Sequence, residues 1–271
     1  MIKDLFSVKD KIVVVTGGLG QLGRQFSLAL ADRGAKVAIF DVQASERQGA
    51  EIFVRPHAEE TLLFLEVDVT QRKSIEAGLD KVNATWGVPH ALINNAALDS
   101  PPDAPIEENG PFEHYPESSW DQVMDVNLKG VFLCCQVIGS QMAAAGRGSV
   151  INICSIYGIV SPDQRLYEYR RVAGPFFKPI AYAASKSAIV NLSRYLSTYW
   201  AGRNVRVNTL TLGGVFNNQD EEFLKGYSAR VPLGRMARED EYNGAILFLV
   251  SDASSYMTGS NLIIDGGWTA W

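Results

Sequence analysis

The sequence predicts an α/β chain built on one doubly wound parallel sheet, in three layers α/β/α. Short apolar runs of strand length alternate with longer stretches of helical periodicity. Those runs are continuously apolar rather than alternating, as parallel strands covered on both faces require. Apolar residues make up 46% of the 271 positions and charged residues 20%, ample for one large core. No repeat, low-complexity tract or linker interrupts the series, so residues 1–271 read as a single domain.

The strand candidates are Ile12 to Val15, Val37 to Phe40, Leu62 to Val67, Ala91 to Ile93, Val150 to Cys154, Val205 to Leu210 and Leu262 to Ile264. Helical patterns run from Leu22 to Arg33, Ser74 to Trp86, Trp120 to Ala145, Tyr182 to Trp200 and Glu239 to Ser251. Right-handed crossovers between such units give the doubly wound sheet. Two segments break the rhythm. Residues 98–116 carry Pro101, Pro102, Pro105, Pro111 and Pro116, which predict an irregular loop. Residues 161–179 are a second long insertion, and loops of this length in a compact domain are usually functional.

Charge and cysteine content exclude several classes. The net charge is -5, from 25 basic and 30 acidic side chains, whereas a general nucleic-acid binder carries a basic excess. No uninterrupted apolar run approaches the roughly 18 residues of a membrane span. The opening MIKDLFSVKDKIVVV mixes both charge signs without the apolar region of a secretory signal. Cys134, Cys135 and Cys154 read as buried thiols of a reducing compartment, so a cytoplasmic location is expected. His57, His90 and His114 are scattered, and no metal site is expected.

The first strand runs into Gly17, Gly18, Leu19, Gly20, Gln21, Leu22 and Gly23, and then a helix. Gly18, Gly20 and Gly23 match G-x-G-x-x-G in the strand-turn-helix context that gives the motif meaning. Glycines permit the tight turn and the close approach of a pyrophosphate, and the helix start presents free N–H groups. The second strand ends in Asp41, 18 residues after Gly23, where a carboxylate accepts from a ribose 2′-hydroxyl and repels a 2′-phosphate. The expected cofactor is therefore NAD rather than NADP, on a Rossmann-type sheet. Asp68 is a candidate for the adenine edge, with Val69 beside it, or equally a cap for the following helix.

Three further segments converge. Asn94-Asn95-Ala96-Ala97 follows the fourth strand, Ser155-Ile156-Tyr157-Gly158 the fifth, and Tyr182-Ala183-Ala184-Ser185-Lys186 opens a helix. Tyr182 and Lys186, at i and i+4, share one helical face. A free tyrosine titrates near pH 10, so service as a base at neutral pH needs a nearby ammonium or other positive charge. With the glycine turn, these segments strongly resemble the short-chain dehydrogenase/reductase family, and the resemblance extends through Asn208 and Gly213 to Asp265-Gly266-Gly267. It implies that Tyr182 exchanges a proton with an alcohol or ketone oxygen, that Ser155 holds that oxygen, and that Lys186 binds the nicotinamide ribose and acidifies the tyrosine. Asn127 is implied to hold the helix backbone and a water of the proton relay. Cofactor contacts are implied at Gly17, Gly20, Gln21, Leu22, Asp41, Asp68, Val69, Asn94, Ala96, Tyr182, Lys186, Gly213 and Val215.

Departures from the family pattern are specific. Compact members carry T-G-x-x-x-G-x-G; here Gln21 stands at the middle glycine and the glycine comes one residue earlier, at Gly20. This spacing resembles the longer branch that modifies sugar nucleotides, so a shifted turn is expected. Leu212-Gly213 replaces the usual Pro-Gly, and residues 216–231 are expected to form a substrate lid. Ser155 and Tyr182 lie 27 positions apart, and the extra chain includes Arg165, Tyr167, Tyr169, Arg170, Arg171 and Lys178. These residues form either a cationic, aromatic wall for an anionic substrate or a solvated loop. Glu107, Glu108, Glu113 and His114 are candidates for the opposite wall. Trp268 and Trp271 either cover a neighbouring subunit's site or pack as a tail.

The expected activity is NAD-dependent interconversion of a secondary alcohol and a ketone on a small molecule, a sugar, sugar acid or polyol. A looser likeness is to dehydrogenases of bacterial nonulosonate and flagellin-sugar pathways. The alternatives are ketoreduction of a lipid or acyl thioester, and a non-catalytic NAD-binding sensor or scaffold. The resemblance further implies a homotetramer or homodimer, paired through the helices at 120–145 and 182–200.

Overall fold

The computed structural model describes residues 4–44, 61–101 and 105–271. Of the sequence features above, His57, Pro102 and the first three residues of the opening segment lie outside the described residues.

Each expected strand forms: β1 (Ile12–Thr16), β2 (Lys36–Asp41), β3 (Leu62–Glu66), β4 (Ala91–Asn94), β5 (Gly148–Ser155), β6 (Val205–Leu212) and β7 (Asn261–Ile264). They make one parallel sheet in the order β3-β2-β1-β4-β5-β6-β7. The chain reverses its direction of winding between β1 and β4, and ligands of such sheets bind in the crevice at that point, beyond the carboxyl ends of the strands.

The continuous apolar runs are explained by the two faces. Val13 and Val15 of β1 pack with Phe26 and Leu30 of α1 (Gln21–Ala31) and with Ile246 and Val250 of α6 (Asn243–Val250). Ile12 and Val14 face the other layer, with Ile75 and Leu79 of α2 (Arg72–Thr85), Ile138 and Met142 of α3 (Glu117–Ala144) and Ile189 of α4 (Ile180–Tyr199). Each such side chain contributes about 1.5–3 kcal/mol when fully buried. The three cysteines are free and buried in this core, and burial pushes the Cys135 thiol up to about 12.

Some expectations need correction. The sequence shows no long uninterrupted apolar run, yet α3 is long and apolar enough, by length and composition, to cross a membrane. Its polar residues are scattered through its length, and half of its most apolar 18-residue window is buried within the protein. Two π-helical turns, at Asp125–Gly130 and Cys135–Gly139, interrupt it. The segment at 239–251 becomes helical only from Asn243. The loop expected to be irregular at 98–116 contains 3₁₀ turns at Ile106–Asn109 and Phe112–His114, and within the insertion at 161–179 Gln164–Ala173 is a 3₁₀ helix whose Asp163 cap accepts from the Arg165 amide at 3.0 Å. Likewise the 216–231 segment contains α5 (Glu221–Ser228), capped by Asp220 accepting from the Phe223 amide at 2.9 Å.

Asp163 and Asp220 also join these two elements. Arg170 and Tyr169 both donate to Asp220, at 2.7 and 2.5 Å, and Arg230 donates to Asp163 at 2.6 Å. The Tyr169 hydroxyl, the Phe223 amide and Arg170 hold the Asp220 carboxyl down at about 2. A third apolar cluster lies beneath, with Leu166, Tyr167, Tyr227, Val231, Met236 and Trp268. Trp268 stacks on Tyr227 at 4.7 Å, so it packs within its own subunit, whereas Trp271 is exposed.

Candidate active site

The glycine turn is built by steric need. Gly17 takes φ +60°, and its amide donates to the Phe40 carbonyl at 2.8 Å. A Cβ on Gly18 would sit 2.7 Å from the Ile39 side chain, and one on Gly23 only 2.1 Å from the Gly17 oxygen. Gly20 is the residue before α1, and no side chain caps that helix start and no acidic residue stands in its first turn. Its N–H groups are therefore available to an anion. The Gln21 side chain, at the position where the family pattern has glycine, donates to the Phe216 carbonyl at 2.8 Å and ties the turn to the segment after β6.

A cleft of about 600 Å³ opens beside this turn, lined by Gly17, Gly20, Gln21, Leu22, Asp41, Asp68, Val69 and Ala96. The Asp41 carboxylate accepts from the Leu19 and Gln43 amides, both at 3.1 Å, which leaves lone pairs facing the cleft. Among the described residues lining it there is no lysine or arginine, and Asp41, Asp68 and Asp99 all border it. Asp68 does not cap α2, whose start has no side-chain cap; one of its oxygens accepts instead from both the amide and the hydroxyl of Thr70, ahead of the helix. An anion cradle at a helix start, glycines that admit no Cβ and a diol acceptor at the end of β2 fit a dinucleotide.

A second cavity, of about 400 Å³, continues from the first and shares Gln21, Leu22, Asn95, Ala97, Asp99 and Asn217 with it. Ser155, Tyr182, Lys186, Gly213 and Val215 line it. β5 delivers Ser155 at its carboxyl end, and α4 presents Tyr182 and Lys186 one turn apart. The Lys186 Nζ donates to the Ile153 carbonyl at 3.0 Å and lies 5.8 Å from the centre of the Tyr182 ring. Burial brings the Lys186 ammonium down to about 8. Tyr182 differs from expectation, because in the free protein burial, reinforced by Asp99, drives its phenol well above the ordinary value. Only the Ser155 hydroxyl pulls the other way among the leading influences. The expected acidification therefore requires positive charge beyond the lysines near the ring, which an oxidised nicotinamide would carry.

Two expected residues fall outside both cavities. Asn94 turns its side chain into the core, where its amide donates to Asn152 at 2.8 Å; Asn95 is the residue of that pair that lines the cleft. Asn127 is fully buried, and its amide grips the Leu98 main chain, accepting from the N–H at 2.7 Å and donating to the C=O at 2.8 Å. It also donates to Ser185 at 3.1 Å, so its side chain positions the loop after β4 and does not reach the cavity. The other predicted positions meet at the cleft. Sequence reasoning missed Asn95, Asp99, Tyr227 and Asn217, which line it. The doubled asparagine of the Asn94-Asn95 segment is the signal that could have flagged Asn95.

The arginines of the second insertion do not line the catalytic cavity: Arg165 pairs with Asp163, Arg170 with Asp220 and Arg171 with Glu168. Tyr167 and Lys178 do line it. Glu108 is buried, accepting from Ser100 and from Tyr115, and with Glu113 it borders a neighbouring cavity of about 360 Å³.

The family model described as enoyl-(acyl carrier protein) reductase matches residues 20–269. Similar proteins include an NAD-dependent glycerol dehydrogenase of Listeria innocua, 32% identical over 97% of this chain and 96% of its own length. A D-threitol dehydrogenase of Mycolicibacterium smegmatis is 31% identical over 97% and 95%. A 3-oxoacyl-[acyl-carrier-protein] reductase of Thermotoga maritima is 30% identical over 96% and 98%. Among solved structures, a short-chain dehydrogenase from Leptospira borgpetersenii with bound NAD+ superposes with TM-score 0.85 at 31% identity, covering 99% and 97% of the two chains. A gluconate 5-dehydrogenase from Burkholderia cenocepacia in complex with NADP and tartrate gives 0.84 at 28%, covering 99% and 98%. The chain belongs to the short-chain dehydrogenase/reductase family, oxidoreductases that use a nicotinamide cofactor on CH–OH groups.

Proposed function

We propose that the protein interconverts a secondary alcohol and a ketone on a sugar, sugar acid or polyol, with NAD as cofactor and Tyr182 as the acid/base. The observation that carries this reading is the convergence of Ser155, Tyr182 and Lys186 on one cavity continuous with the glycine-turn cleft. When bound, the cofactor supplies the hydride acceptor or donor. In oxidation the substrate hydroxyl sits against Ser155 Oγ and gives its proton to Tyr182 Oη, while the Lys186 ammonium steadies the phenolate; reduction reverses the proton's path. Gly213 and Val215 border the cavity where the cofactor's reactive end would enter it.

The substrate class rests on the lining. Tyr157, Tyr167, Tyr227, Asn217 and Gln219 line the cavity together with Phe223 and Met236. That combination suits a small hydroxyl-rich molecule better than an acyl chain. Relatives that act on glycerol and threitol point the same way. The test is formation of NADH by the purified protein on a panel of polyols, aldoses and aldonates; no turnover of any of them would overturn the reading.

NAD rather than NADP is inferred from Asp41. A 2′-phosphate there would meet a carboxylate, with no cation among the described lining residues to offset it. Replacement of Asp41 by alanine is expected to lower the NAD/NADP ratio of kcat/KM by about tenfold or more, since one direct like-charge contact at a partly exposed site is worth on the order of 1.4 kcal/mol. An unchanged ratio removes Asp41 from the ribose site. We further infer one domain over residues 1–271, a homotetramer or homodimer, and a cytoplasmic location, the last supported by three free buried thiols.

A further inference from the structure

Lys178 stands just before α4, four residues ahead of Tyr182, and its side chain is 13% exposed. Its Nζ lies 5.4 Å from the centre of the Tyr182 ring, so the tyrosine has ammonium groups from both Lys178 and Lys186 close to its ring. The backbone around Lys178 is held firmly. The Lys178 amide donates to Gln164 Oε1 at 2.9 Å, the Phe177 amide donates to the Asn109 carbonyl at 2.8 Å, and Pro179 follows. A sheltered ammonium needs an anion, and the one supplied here is Asp99, which accepts from Nζ through both carboxylate oxygens. Asp99 is not sheltered, being 59% exposed, and it belongs to the loop that Asn127 clasps at Leu98. Among the described residues lining the catalytic cavity, the charged side chains are Asp99, Lys178 and Lys186, and Lys186 is already bonded to the Ile153 carbonyl.

This arrangement is asymmetric in a useful way. Asp99 can return to water at small cost because most of it is already there. Lys178 is largely sealed from water, so its ammonium is left without a partner unless another anion replaces the carboxylate. We propose that Lys178 is the specificity-determining residue of the cavity, and that a carboxylate on the substrate takes the place of Asp99 on its ammonium. The proposal rests on the dehydrogenase reading above and narrows it to hydroxy acids, such as aldonates, over neutral polyols. Of the cations that the sequence pattern offered for such a wall, it assigns the role to Lys178 rather than to Arg165, Arg170 or Arg171.

Tartrate and threitol test it, because they share a four-carbon diol skeleton and differ in carboxylates against hydroxymethyl groups at the ends. Binding of each to the NAD+-saturated protein is measured by titration calorimetry, in matching configuration. Tartrate is expected to bind at least about tenfold more tightly, the range for a hydrogen bond to a charged group. Lys178→Met should abolish that advantage while changing threitol affinity less than about twofold, and Lys178→Arg should restore most of it. Asp99→Asn, at an exposed position, should tighten tartrate binding by removing its competitor. Equal affinity of the parent for the two probes, an equal loss of both in Lys178→Met, or weaker tartrate binding in Asp99→Asn each overturns the proposal. Turnover is read separately. Oxidation of threitol without a tartrate preference leaves the dehydrogenase reading standing, and absence of oxidation of any alcohol defeats that reading without deciding the binding comparison.

Discussion

Replacement of Tyr182 by phenylalanine should reduce turnover by about 10²–10⁴-fold while leaving NADH affinity within about twofold of the parent, as measured by fluorescence titration. The ring and its packing are kept, so the loss reports only the hydroxyl that moves the proton. The pH dependence carries more detail. Burial and Asp99 hold the phenol protonated in the free protein, so it stands ready as a donor for ketone reduction. Oxidation needs phenolate, so its kcat/KM should rise by about tenfold per pH unit until the tyrosine of the loaded enzyme titrates. Reduction should be level on the acid side and fall beyond that same pH. Lys186, brought down to about 8 by burial, loses its own charge as pH rises, and phenolate is then less favoured. Lys186→Met should therefore move the oxidation limb to higher pH. Equal turnover in Tyr182→Phe and parent would remove the acid/base role from Tyr182, and an unmoved limb in Lys186→Met would remove the electrostatic one from Lys186.

What the residues disclosed in advance follows from how local each signal is. The parallel strands were legible because burial on both faces forces an unbroken apolar run; Val13 and Val14 point to opposite layers and both must be apolar. The pairing of Tyr182 with Lys186 was legible because helical spacing alone puts them on one face. The direction in which the Asn127 and Asn94 side chains turn was not legible, for a different reason. Which way a buried amide turns depends on partners far along the chain, here Leu98 and Asn152. The arginines of the second insertion left two readings open, a cationic wall and a solvated loop. Their count alone could not choose between these, because the carboxylates that neutralise Arg165 and Arg170 come from Asp163 and from Asp220, fifty residues on. Lys178 could not be told from them by composition, since only the tertiary structure seals its side chain against Tyr182.

Gly23→Ala is expected to be the most damaging single-methyl change in the cofactor cleft. The added Cβ would lie 2.1 Å from the Gly17 oxygen and 2.8 Å from the Gly18 Cα, and both are backbone atoms that cannot swing aside. Either the turn opens or the first turn of α1 lifts from β1, and both displace the N–H groups meant for the pyrophosphate. NADH affinity should fall by about a hundredfold or more. Overpacking of this kind costs about 1–3 kcal/mol, so the midpoint of thermal unfolding should also drop by several degrees. Gly20→Ala is the internal comparison. Gly20 has φ -66° and its Cβ would meet only the Gly17 oxygen, at 3.3 Å, so the fold accepts it. Its unfolding midpoint should stay close to the parent's, and any loss of NADH affinity then measures how closely the cofactor approaches that glycine. NADH binding by Gly23→Ala within about threefold of the parent would show that the phosphates do not rest on this turn.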